Sequence, residues 1–362
     1  MTPHFHRLAV SRVQRETPDA ISVVFAVPSA LRNTYRYTQG QHLTLRAQLD
    51  GGEVRRSYSI CSGVDEGQLR IAIKEVEGGV FSGWANANLA PGMEIDVMAP
   101  DGRFHTPLNA AQRKHYVAFA AGSGITPVLS LIKTTLRREP ESRFTLVYGN
   151  RTVASILFSE ELEDLKDRYM GRFTLHHVLS REPQDVPLFS GRIDAEKCRA
   201  LLDTLLPAED IDEVFICGPG AMLDAVRDTL AAAGVEASHI HVERFATPGE
   251  RGVVSRPAPP PAAADDAAAA EVAVISDGVT RTLRVPFAGA SILDAALGAG
   301  ADLPFACKGG VCCTCRARIL EGEVKMDKNY SLEPHELARG FVLSCQSHPV
   351  SDRVVISYDE RL

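Results

Sequence analysis

The sequence predicts a multi-domain chain: an antiparallel β-barrel, then an α/β unit with a parallel sheet, then a small α+β unit of β-grasp-like type. Three observations lead there. Short β-type runs give way near residue 110 to strands alternating with helical patterns. A proline- and alanine-rich stretch interrupts the chain near residue 260. Five of the eight cysteines fall within the last fifth of the 362 residues.

Length and composition set the frame. At ~100–200 residues per domain, 362 residues suit two or three domains, each with its own core. Hydrophobic residues make up 45% and charged residues 23%, ordinary for a soluble globular protein. A net charge of −7 argues against a general nucleic-acid-binding surface. No apolar run approaches the ~18–20 residues needed to span a bilayer, so no membrane role is expected. The opening residues, Met1 to Arg7, lack the apolar centre of a signal peptide, which points to the cytoplasm. Thiols stay reduced there, and clustered cysteines suggest metal or catalysis.

Residues 1–110 carry the runs Leu8–Val10, Ile21–Phe25, His42–Leu45, Leu69–Ile73 and Glu94–Val97, separated by turn signals such as Asp50-Gly51-Gly52 and Pro91-Gly92. Many short strands at close spacing read as a barrel or sandwich. In 111–247 the apolar run Tyr116–Ala120 precedes a glycine turn and a helical pattern to Arg138. Strands at Phe144–Tyr148, Phe173–Val178 and Glu213–Cys217 alternate with helices at Glu160–Tyr169 and Ala221–Ala233. That alternation implies a doubly wound parallel sheet. Residues 248–270, with Pro257-Ala258-Pro259-Pro260-Pro261, read as a semi-rigid spacer with nothing to anchor a core. The last unit, 271–362, opens with a hairpin around Asp277-Gly278, continues with a short helix over Ser291–Ala299, and closes on the strand Arg353–Tyr358.

Cys307, Cys312 and Cys315 follow the spacing C-x4-C-x2-C, and 29 residues (345 − 315 − 1) separate Cys315 from Cys345. This is the plant-type spacing for a [2Fe–2S] cluster, whose irons need four protein thiolates. Lys308-Gly309-Gly310 lets the backbone approach sulfur closely. Structural zinc and reduced core cysteines are the bland alternatives, but zinc ribbons pair two CxxC knuckles and only one is present. Cys313 is an extra thiol that the spacing excludes as a ligand; it is expected to pack under the loop as a small hydrophobe.

Two further signals concern nucleotides. Arg56-Ser57-Tyr58-Ser59 ends a strand and offers a phosphate partner, a stacking ring and hydroxyls, although alone it could be a strand edge. Gly78-Gly79-Val80-Phe81-Ser82 supplies backbone suited to a pyrophosphate. Gly122-Ser123-Gly124-Ile125-Thr126-Pro127 and Cys217-Gly218-Pro219-Gly220 are two strand–glycine–helix turns, the sequence form of a ligand crevice in a parallel sheet.

The order of these motifs resembles the ferredoxin–NADP reductase superfamily over residues 5–245. With the cysteine loop and the segment Gly340–Pro349, the whole chain resembles the reductase subunits of bacterial phenylacetyl-CoA epoxidases. The resemblance implies FAD in the first unit, with Arg56 on its pyrophosphate, Tyr58 stacked on its ring and Ser59 facing its N5. It implies Thr126 on a nicotinamide dinucleotide and Cys217 beside the nicotinamide, with Ser59 and Cys217 as the catalytic pair. Ser57, Gly78, Gly79, Val80, Ser82, Gly122, Gly124, Gly218 and Pro219 complete the expected cofactor-binding set. It implies electron delivery to a separate di-iron oxygenase, since no Glu-x-x-His pair on long helices is present here. NADPH is expected over NADH: a 2′-phosphate needs a cation, and superfamily members that use NADP often place a Ser-Arg pair where Ser180-Arg181 follows the strand Phe173–Val178, with Asn150-Arg151 after Phe144–Tyr148 in support. The alternatives are the reductase of a steroid or aromatic-ring hydroxylase and, in another class, an iron–sulfur redox carrier or sensor.

Overall fold

The computed structural model describes residues 5–49, 51–245 and 268–360. The expected turn residue Asp50 and most of the expected spacer lie outside them.

The first unit is a six-stranded antiparallel sheet built from β1 (Phe5–Thr17), β2 (Ala20–Ala26), β3 (His42–Leu49), β4 (Gly52–Ser59), β5 (Leu69–Lys74) and β6 (Glu94–Met98). Its order is β4-β3-β6-β1-β2-β5, and an antiparallel bridge from Ile60 to Ile71 joins the two edges. Closure removes the exposed edges that an open sheet would offer to other chains. Alternation sends Leu8, Val10, Val23, Leu43 and Leu45 inward to one core. The helix α1 (Val80–Asn88) packs against β3, β4 and β5.

The second unit has five parallel strands, β7 (His115–Ala121), β8 (Arg143–Asn150), β9 (Phe173–Leu179), β10 (Glu213–Gly218) and β11 (Ile240–Arg244), in the order β11-β10-β7-β8-β9. Helices α2 (Ile125–Arg138) and α3 (Ser159–Arg168) cover one face; α4 (Ala195–Thr204) and α5 (Gly220–Ala232) cover the other. The chain winds outward from β7 to β9, then returns to β10 on the far side of β7. That reversal is the switch point at which doubly wound sheets bind ligands. Helix α4, absent from the sequence expectation, starts at Asp194, whose side chain accepts from the Lys197 amide.

The third unit is a mixed sheet in the order β13-β12-β18-β14-β16: β12 (Ala269–Ser276), β13 (Val279–Pro286), β14 (Arg316–Glu321), β16 (Phe341–Leu343) and β18 (Arg353–Ser357). A second pair joins β15 (Val324–Met326) to β17 (Ser347–Pro349). Helices α6 (Ile292–Gly298) and α7 (Pro334–Ala338) complete it. The spacer expectation needs one correction. β12 begins at Ala269, and Ala270 is fully buried in the core, because its methyl group fills the inward face of a central strand.

Charged side chains lock the first two units together. Arg70 on β5 pairs with Glu161 on α3 at 2.6 Å, while Lys133 on α2 reaches both Glu161 and Glu66. Arg70 and Lys133 are almost fully buried, so each depends on these carboxylates. Among the described residues no helix is long and apolar enough to cross a membrane.

Candidate active site and redox centre

Strand β4 carries the first group of candidates. Register pairs His42 with Ser59, Thr44 with Ser57 and Leu45 with Arg56. Pleating therefore sends Arg56 and Tyr58 to one face, and Ser57 and Ser59 to the other. Tyr58 lies 5.7 Å from Phe81 of α1. Gly79 caps α1 without a side-chain bond, which leaves the first-turn amides of Val80 and Phe81 without a capping oxygen, as suits a phosphate. The Ser82 side chain shapes this segment. Its Oγ accepts from the Val76 amide at 3.1 Å and donates to Gly79 O at 3.3 Å, so it builds the Gly78-Gly79 turn. Ser57 shares a hydrogen bond with Thr44 at 3.1 Å.

Ser59 is buried, and its hydroxyl lies 3.2 Å from the Glu243 carboxylate on β11. Burial pushes the Glu243 carboxyl up to about 8, opposed by the Ser59 hydroxyl. Opposite Ser59, His42 is buried with Nε2 lacking a hydrogen-bond partner, and burial holds it below the usual imidazole range. Sequence reasoning missed both residues. Glu243 sits 184 positions from Ser59, and no local pattern announces such a meeting.

The two glycine turns abut across the switch point. A β-carbon on Gly124 would stand 2.1 Å from Cys217 O, and one on Gly218 would stand 2.6 Å from the Met222 methyl group. Only glycine lets β7–α2 and β10–α5 approach this closely. Gly122 turns the chain with φ of 54°. Thr126 is buried, and its hydroxyl donates to Ser123 O at 3.0 Å. Pro219 precedes α5, again with no side-chain cap. Cys217 is fully buried, and burial, with Glu243 beside it, raises its thiol well above the ordinary value. It is therefore a neutral thiol at physiological pH.

At the far end of the crevice, backbone bonds from Ser180 N to Asn150 O and from Arg181 N to Arg151 O continue the β8–β9 ladder. Both arginines are exposed, and among the described residues neither forms an ion pair with a carboxylate. Glu182 is turned away, its carboxylate accepting the Val153 amide at 2.9 Å. Asn150 is buried with an unpartnered Nδ2.

The four spaced thiols gather at one end of the third unit as two pairs. Cys307 contacts Cys312, and Cys315 contacts Cys345. The Gly309 amide donates to Cys307 Sγ at 3.2 Å, and Gln346 Nε2 approaches Cys345 Sγ at 3.6 Å. The Cys312 thiol and the loop amides hold the Cys307 thiol below its ordinary range. The Cys315 thiol and, more weakly, Gln346 lower that of Cys345. Among the described residues no three His, Cys, Asp or Glu side chains gather as a metal site. Two thiol pairs fit a two-iron cluster with two protein ligands per iron. Cys313 partly corrects the expectation of simple packing. It does contact the core, but its Sγ also reaches Ser331 Oγ at 3.0 Å and Arg103 at 3.4 Å.

A closed antiparallel sheet with a stacking ring, a parallel sheet with two abutting glycine turns and a four-thiol loop define a flavin- and iron–sulfur-dependent oxidoreductase of the oxygenase-reductase type. Comparison with known proteins agrees. The family described as "Oxidoreductase FAD-binding domain" matches residues 7–106, "Oxidoreductase NAD-binding domain" matches 119–228, and "2Fe-2S iron-sulfur cluster binding domain" matches 274–350. The chain is 48% identical to a 1,2-phenylacetyl-CoA epoxidase subunit of Escherichia coli, over 99% of this chain and 98% of that one. It is 38% identical to the ferredoxin reductase component of 3-ketosteroid-9-alpha-monooxygenase from Mycobacterium tuberculosis, over 99% and 97% of the two chains. Phthalate dioxygenase reductase shares the fold, with a TM-score of 0.58 at 24% identity over 99% of this chain and all of that one. The chain belongs to the ferredoxin–NADP reductase-type family with a C-terminal [2Fe–2S] unit, the family that includes this epoxidase subunit.

Proposed function

We propose that this protein is the NADPH-dependent reductase component of a cytoplasmic phenylacetyl-CoA epoxidase, passing electrons to a partner di-iron oxygenase. The observation that carries this reading is 48% identity, over nearly the whole of both chains, to a subunit of such an epoxidase.

When bound, FAD accepts a hydride and gives up its electrons singly. The chain's own residues do the rest. Arg56 and the amides at the start of α1 hold the pyrophosphate, and Tyr58 covers the ring. Gly122, Gly124, Thr126, Gly218 and Pro219 form the crevice floor for the dinucleotide. Cys217, uncharged and buried, puts no charge beside the nicotinamide. The Ser59 hydroxyl and the Glu243 carboxyl hold a proton at the flavin edge, since a group with a pKa of about 8 stays largely protonated at pH 7. Asn150, Arg151, Ser180 and Arg181 receive the 2′-phosphate. Cys307 with Cys312, and Cys315 with Cys345, ligate one iron each.

The test mixes the holoenzyme with purified candidate oxygenases, di-iron and steroid-hydroxylating, NADPH and either phenylacetyl-CoA or a steroid substrate. NADPH-dependent oxygenation of phenylacetyl-CoA is expected. Turnover only with a steroid oxygenase would move the protein to the second group of relatives.

A further inference from the structure

Cations from the first unit reach into the third at two points. Arg55 on β4 is buried, with Nη1 donating to Leu303 O at 3.3 Å and its guanidinium 4.0 Å from the Phe305 ring centroid. Arg103, beyond β6, pairs with the Glu336 carboxylate at 2.5 Å and donates to Ser331 O at 3.1 Å and Cys313 Sγ at 3.4 Å. The two points flank the thiol loop, since Leu303–Phe305 lead into Cys307 while Cys313 lies within the loop.

We propose that Arg103, with Arg55, clamps the thiol loop against the flavin edge, which makes Arg103 a positioning residue for electron passage from flavin to cluster. This rests on the reading above. That reading supplies the redox balance: NADPH would give up a hydride, the two electrons would pass singly to a cluster held by the four thiols, and the remaining proton would be left at the flavin edge beside Ser59 and Glu243 for release to solvent.

The root of Arg103 is fixed beside Ser59. His42, cross-strand neighbour of Ser59, exchanges two backbone bonds with Asp101, at 2.7 and 3.0 Å, two residues before Arg103. Gly102 lies so close to the His42 ring that a β-carbon there would meet Nδ1 at 2.9 Å. The far end of the clamp is equally tied to the loop. Tyr330 N and Ser331 Oγ both donate to Gly310 O, at 3.1 and 3.2 Å, so a pull on Ser331 is felt between Cys307 and Cys312. Glu336 has no exposed surface, and Arg316 of its own unit provides only one of its two cationic partners, at 2.9 Å. Arg103 provides the other from outside. A carboxylate buried in this way loses a partner whenever the units separate, which favours the docked arrangement.

The experiment uses the holoenzyme with Arg103→Gln, Arg103→Lys and Glu336→Gln. The last keeps an oxygen for the Glu333 amide that Glu336 now accepts at 2.9 Å. Stopped-flow absorbance follows flavin and cluster separately, and hydrogen exchange follows the amides of 329–338. Arg103→Gln and Glu336→Gln should leave flavin bleaching by NADPH within about twofold and slow cluster reduction by about tenfold, equivalent to ~1.4 kcal/mol of docking free energy. Amides 329–338 should exchange faster, those of β12 and β13 should not, and Arg103→Lys should recover part of the rate. Unchanged cluster reduction overturns the proposal. So does equal slowing of both steps, or loss of the cluster spectrum, which would mark the pair as merely structural. A wild type without flavin or cluster would sink the functional reading instead, while the exchange comparison still judges the clamp.

Discussion

Glu243→Gln should stabilise the protein near pH 8 and make little difference near pH 4. The Glu243 carboxyl is held at about 8 by burial, against an ordinary value of 4.5. A raised acid pKa means that the folded state keeps a proton which the unfolded chain releases above pH ~4.5. Folding stability therefore falls as pH rises from about 4.5 to about 8 and levels off above that. At 1.36 kcal/mol per pH unit the ceiling is ~5 kcal/mol, and water reaching the partly exposed side chain lowers the expected cost to roughly 1–3 kcal/mol. Glutamine keeps the oxygen for Ser59 and has no charge to desolvate. Thermal unfolding of both proteins at half-unit steps from pH 4.5 to 8.5 measures the difference. Parallel curves across that range would refute the argument, because the pH dependence, and not the offset, carries the linkage.

Gly124→Ala should raise the KM for the nicotinamide dinucleotide and lower the melting temperature. The new methyl would sit more than an ångström inside contact with Cys217 O, and overpacking of this kind costs ~1–3 kcal/mol; wild-type KM and melting temperature would show that the turns can part freely. Arg181→Ala should weaken NADPH by roughly tenfold to a hundredfold, as befits a charge-assisted contact of ~1.5–3 kcal/mol, with little change for NADH. Equal loss for both dinucleotides in binding titrations would place the 2′-phosphate elsewhere. Cys345→Ser should abolish electron delivery to an acceptor protein yet preserve flavin bleaching by NADPH; a variant that keeps its FAD but no longer bleaches would argue against sequential transfer.

Local chemistry was readable from sequence and distant meetings were not. The thiol spacing and the glycines at 122, 124 and 218 are legible because a tight loop or turn demands specific residues at fixed intervals. The apolar runs at Tyr116–Ala120 and Phe144–Tyr148 mark strands buried on both faces of a parallel sheet. Helix α1 leaves little trace in the sequence beyond the glycines before it, since its one small buried face of Phe81, Ser82 and Ala85 gives little periodicity. Strand β11 escaped because it is a short edge strand with no fully buried side chain. The Ser82 hydroxyl braces the Gly78-Gly79 turn whose backbone is expected to serve the pyrophosphate. Glu243, His42 and Arg103 take their significance from strands and loops far apart in sequence, so neither propensity nor spacing could single them out.

The position of β18 has a consequence for biosynthesis. This strand is the centre of its sheet, pairing in parallel with β12 and antiparallel with β14. Until residues 353–357 have emerged from the ribosome, β12 and β14 have no common partner. The first two units can fold while synthesis continues, as N-terminal domains generally do. The thiol loop must wait, because its fourth cysteine and the strand that completes its sheet are made only after the loop itself. Cluster insertion therefore comes after the flavin half can already have folded, and translation halted before Cys345 would spare that half while leaving the cluster one ligand short.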